Sequence, residues 1–132
     1  MIKRRLIVLA ATFLAGSAFA AAPAYPPQIS SEGGVKVTAT LQHINADQNA
    51  WTVEVSLETH THALNERLEG VSELIADGRT YRPLSWEGAP PGGHHRKGLL
   101  RFPAVSPRPN AIELRIHLDG EASPRRFSWR LK

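Results

Sequence analysis

The chain has 132 residues, no cysteine, a single methionine and a formal net charge of +4. Without cysteine it has neither disulfides nor thiolate metal ligands, so a domain of this size must be held together by its core. Three of the sixteen Lys and Arg residues fall in the first twenty positions. The remaining 112 residues carry thirteen bases against twelve acids, a balance that gives little support to a nucleic-acid partner.

Residues 1–20 read as an export signal. Lys3, Arg4 and Arg5 form a positive start, Leu6 to Ala15 is apolar, and Ala18-Phe19-Ala20 meets the small-x-small rule for cleavage after Ala20. The apolar run is too short to span a bilayer, which needs about 20 residues, and nothing later is apolar enough. A periplasmic or secreted protein with no membrane span after cleavage is expected. Residues 21–34 are rich in Ala, Pro, Ser and Gly and read as a flexible leader. The domain is expected over residues 35–132.

From Val35 the pattern alternates with a period of two, the mark of half-buried strands. Val35 to Leu41 and Trp51 to Glu58 are the first two strands. Residues 62–70 lose the alternation and suggest a short helical turn. Val71 to Ala76 and Arg79 to Leu84 flank Asp77-Gly78, a two-residue hairpin signal. Ser85 to Lys97 reads as a long loop, followed by strands at Gly98 to Phe102, Ile112 to Leu118 and Phe127 to Leu131. About seven short antiparallel strands predict an all-β immunoglobulin-like sandwich. Trp51, Val53, Val55, Leu57, Leu114, Ile116, Phe127 and Trp129 are its expected core.

The loop is the most informative stretch. Pro90 and Pro91 fix φ, whereas Gly92 and Gly93 allow unusual φ, a combination that shapes a defined turn. Trp86 is positioned to pack onto the end of the sandwich. Alternating strand direction places His60, His62, His94, His95 and His117 at one end and His43 at the other. Imidazoles two residues apart on a strand share a face. His60, His62, His94 and His95 are therefore candidate ligands for Cu or Zn, with Glu58, Glu87 and Asp119 nearby. Three readings stay open: a metal site, a loop whose histidines only hold its shape, and an interaction surface built on Trp86, Glu87, Pro91, Gly92, Gly93 and Arg96. Arg125-Arg126 and Arg96-Lys97 could hold an anionic ligand, but a solvated turn is the favoured reading of them. No nucleophile elbow or comparable catalytic context appears, so an enzyme is not expected.

The segment PLSWEGAPPGGHHRKGLLRFP, with Thr59-His60 upstream, resembles a motif of exported bacterial and archaeal β-sandwich domains of unassigned function. The matching residues are Leu84 to Gly88, Pro91 to Arg96, Gly98 and Phe102-Pro103. The resemblance implies an envelope protein of immunoglobulin-like fold and brings no activity with it. The expected function is a soluble periplasmic binding or accessory domain with a histidine-borne Cu or Zn site. The alternative is a metal-free module that contacts another envelope protein through residues 85–97.

Overall fold

The computed structural model describes residues 25–45 and 47–131, together with positions 12 and 16. Apart from those two positions, the expected export signal lies outside the described residues. Among the described residues nine strands form two antiparallel sheets, with one short helix. No described helix is long and apolar enough to cross a membrane.

Strands β1 (Gln28–Glu32), β2 (Val35–Leu41), β3 (Ala50–Thr59), β6 (Ser85–Gly88) and β7 (His95–Pro103) make the first sheet, in the order β1-β2-β3-β7-β6. Strands β4 (Ser72–Ala76), β5 (Arg79–Tyr81), β8 (Ala111–Ile116) and β9 (Arg125–Arg130) make the second, in the order β5-β4-β8-β9. The helix α1 (Leu68–Val71) carries the chain from the first sheet into the second.

The alternation decides which face is buried. On β3, Trp51, Val53, Val55, Leu57 and Thr59 point inward, while Thr52, Glu54, Ser56 and Glu58 face out. The inward rows of β8 and β9 meet them across the sandwich, and every expected core residue is buried. The outer face of the first sheet is laced by cross-strand ion pairs: Lys36 with Glu58, Lys97 with Glu54 and Arg101 with Glu87. The acids of β3 and the bases of β7 come from halves of the chain with opposite charge bias, and pairing the strands cancels that bias.

Two expectations are corrected. Residues 28–32, read as leader, form β1, an edge strand that turns into β2 through Gly33 and Gly34, both at positive φ. Its sequence hides it because Ile29 is the one apolar residue of the strand, and it is exposed. The Gln28 carboxamide bonds the backbone of Ser128, its Oε1 accepting from the Ser128 N–H and its Nε2 donating to the Ser128 carbonyl. This clasps the edge of one sheet to the edge of the other and shields β9 from strand addition. The second correction concerns residues 85–97. They are not a long loop but most of a hairpin, with β6 paired to β7 from Ser85↔Arg101 to Gly88↔Gly98. Only residues 89–94 form its connection.

Candidate functional site

The end of the sandwich that receives the end of β3 and the starts of β4, β7 and β9 is its base. His94 and His95 open β7 there, beside the end of β3, and His117 follows β8. The base therefore gathers five histidines, as strand direction predicts.

The hairpin tip is built to be rigid. Gly88 and Gly98 face each other in register, and a Cβ on Gly98 would lie 2.6 Å from the Gly88 Cα and 2.8 Å from Trp86 Cζ2. Only glycine allows this approach, and the half-buried Trp86 indole covers the pair. The Trp86 Nε1–H donates to the Ala89 carbonyl at 2.9 Å. The Arg96 guanidinium lies over the ring, 5.8 Å from its centroid. Arg96 is 2% exposed and donates to the Glu66 carbonyl at 2.6 Å, the Ala89 carbonyl at 3.1 Å and, more weakly, the Leu64 carbonyl at 3.4 Å. Burial pushes its pKa down from the ordinary arginine range, while the nearby Glu66 and Glu69 carboxylates oppose the shift.

The tip is also sewn to the segment that follows β3. The Thr59 N–H donates to the His94 carbonyl at 3.0 Å, Leu64 N–H to Gly93 at 2.9 Å, and Gly92 N–H to Leu64 at 2.7 Å. Gly92 and Gly93 have φ of 116° and 70°, the conformations their sequence position suggested. Leu64 is buried and pins the segment. Glu66 is buried as well: its Oε1 accepts from the Asp119 N–H at 3.2 Å, and its Oε2 has no partner among the described residues.

On this framework the side chains of His60, His62, Pro91, His94 and His95 are exposed. Glu87, an expected loop-contact residue, faces outward and pairs with Arg101 at 3.2 Å. His62 Nδ1 meets the Thr61 Oγ1 at 2.9 Å, and Thr61 Oγ1 meets the buried Thr59 Oγ1 at 3.2 Å. A hydroxyl relay from the interior thus orients this one imidazole.

Among the described residues, no group of three or more His, Asp or Glu side chains is placed to hold a metal ion. The expected set of His60, His62 and His94 or His95 is not brought together as one. The expected ligands stand on different elements: His60 and His62 follow β3, His94 ends the hairpin connection and His95 opens β7. His95 stands opposite Glu58 on the outer face of the first sheet, and His60 lines a cleft with Glu58 and Lys36 on that side. His117 lies beyond the second sheet, 3.4 Å from Glu73.

The candidate anion-binding arginines are also reassigned. Arg125, 1% exposed, donates through Nε and Nη2 to Glu121 at 2.7 and 2.8 Å. It further donates to the carbonyls of Ser30, Val35 and Glu32 at 3.0, 3.1 and 2.6 Å. Arg96 and Arg125 thus bind the chain's own backbone. Sequence reasoning missed both roles. The one available signal was parity, which puts each arginine on the inward row of its strand.

These features define a histidine-displaying base on an antiparallel β-sandwich. No protein-family model and no curated protein matches the chain. Among solved structures it is similar to a secreted protein from Mycobacterium tuberculosis, MPT63, solved at 1.5 Å. The likeness has 15% identity and a TM-score of 0.43, and covers 80% of this chain and 92% of that one.

Proposed function

We propose that the domain is an exported accessory module that contacts another envelope protein through its base, using the hairpin tip and the segment after β3. One observation carries this reading: the anchors are held by packing and hydrogen bonds, with Arg96 buried and Trp86 half-buried, and the displayed groups are exposed. Arg96, Trp86 and the Gly88–Gly98 contact fix the tip, while Pro91, His94, His95, His60 and His62 remain open to solvent. A surface ordered before binding loses less entropy on contact. The test is photocrosslinking in cells that export the protein, with the probe at Pro91, at His94, or at His43 on the opposite pole. A discrete adduct is expected from the first two positions alone. The absence of an adduct from a folded protein, or an equal adduct from position 43, rejects the reading.

A second reading, a Cu or Zn site, rests on His95 standing directly opposite Glu58 in the register of β3 and β7. His60, just beyond the end of β3, lines a cleft with the same Glu58, and the three would have to draw together on a metal. Calorimetric titration with Zn²⁺ or Cu²⁺ decides it. Binding at micromolar or tighter that is lost in both His60→Ala and His95→Ala supports the site, and no heat in a folded protein removes it.

A further inference from the structure

The pole opposite the base holds a cleft of about 250 Å³, between the β2–β3 connection and the chain leaving β7. We infer that it binds a small organic monoanion with an apolar body and a carboxylate head, of the size of benzoate or a branched short-chain acid.

The floor is apolar. Ile44, Trp51 and Val105 line it. Burying an aromatic or branched aliphatic group against such a floor is the main source of affinity for small ligands. The size limits the ligand: drug-sized sites run from about 300 to 1,000 Å³, so this cleft takes something smaller.

The rim selects charge. Among the described residues no Asp or Glu lines the cleft, and Arg108 does. Arg108 is held in place by its Nη2, which donates to the Tyr25 hydroxyl at 2.9 Å and the Leu131 carbonyl at 3.0 Å. Both partners are neutral, and among the described residues no carboxylate pairs with Arg108. The remaining N–H groups of its planar fork suit a carboxylate. Asn45, Gln48 and Ser106 also line the rim. Each can donate as well as accept, with Gln48 Oε1 already accepting from the Asn45 N–H at 2.9 Å. The preference for an anion therefore rests on Arg108, and the neutral rim groups can add donors to it. A cationic amine of the same shape meets Arg108 as a like charge.

The test is a ¹H–¹⁵N titration of the purified protein with benzoate, benzamide and benzylamine. Benzoate is expected to move the Trp51 indole N–H and the amides of Val105 and Arg108 saturably, with roughly millimolar affinity for so few atoms. Benzamide is expected to bind at least about tenfold more weakly, the loss of one charge-assisted contact, and benzylamine not at all. Arg108→Gln should bring benzoate down to the level of benzamide. Because Arg108 also secures Leu131, a second variant is needed: Ser106→Phe fills the cleft from an exposed position and should abolish binding in a protein that remains folded. The proposal is overturned if benzoate gives no saturable shift, if benzylamine matches benzoate, or if binding survives in a folded Ser106→Phe protein.

Discussion

Two arginines stand at the same end of this sandwich, each near the start of its strand and each pointing inward, yet the protein treats them differently. Arg125 meets a carboxylate: Glu121 takes two of its N–H groups, and three backbone carbonyls take others. Arg96 has no carboxylate within bonding distance and relies on three carbonyls and the face of Trp86. Both guanidiniums are buried, but only Arg125 is bonded directly to a carboxylate, while Arg96 has Glu66 and Glu69 nearby without a direct bond among the described residues. Arg125 therefore acts as a clamp that joins β1 of one sheet to β9 of the other. Arg96 acts as a local brace whose work is to fix the shape of the hairpin tip and of the segment beside it.

Substitution separates the two. Arg125→Met has the largest expected effect, about 3–5 kcal/mol, because it leaves a partly buried Glu121 and several carbonyls without their partner. Chemical denaturation measures the loss, and hydrogen exchange should locate it in β1. Arg96→Met is expected to cost about 1–3 kcal/mol, since the stranded groups are carbonyls and no carboxylate loses a bonded partner. Its exchange signature should be confined to residues 59–66 and 89–96. Equal losses, or a loss of β1 protection in the Arg96 variant, would erase the distinction between clamp and brace. Thr61→Val is the mildest, below about 0.5 kcal/mol as a surface change. It should still alter the ring-nitrogen signals of His62 and leave those of His60 and His94 in place. Unchanged His62 signals would mean that the relay from Thr59 does not orient the imidazole.

The sequence made some of this architecture legible. The alternation in Val35 to Leu41, Trp51 to Glu58, Ile112 to Ile116 and Phe127 to Trp129 assigned each core residue to the inner face, because a period of two leaves a strand only one buried side. Asp77-Gly78 marked its hairpin for an equally local reason: Asp77 and Gly78 both take positive φ, at 50° and 73°. Two of the four edge strands were harder to see. β1 and β6 carry little apolar alternation, so Gln28 to Glu32 resembled a leader and Ser85 to Gly88 resembled a loop.

The candidate site divides along the same line. Its residues and their common pole followed from sequence, since strand direction alone sends His60, His62, His94, His95 and His117 to the base. Whether those imidazoles meet depends on which face each presents, and the two layers of the sandwich set His95 and His117 on opposite outer surfaces. The loop motif changed meaning in the same way. Trp86, Gly88, Arg96 and Gly98 stand out in the sequence, but only the fold brings Gly88 against Gly98, lays the indole over them and surrounds Arg96 with carbonyls. By itself the sequence determined the pattern of burial, because burial follows a local period. The tertiary structure decided what the buried charges do, because their partners lie as far as 95 residues away along the chain.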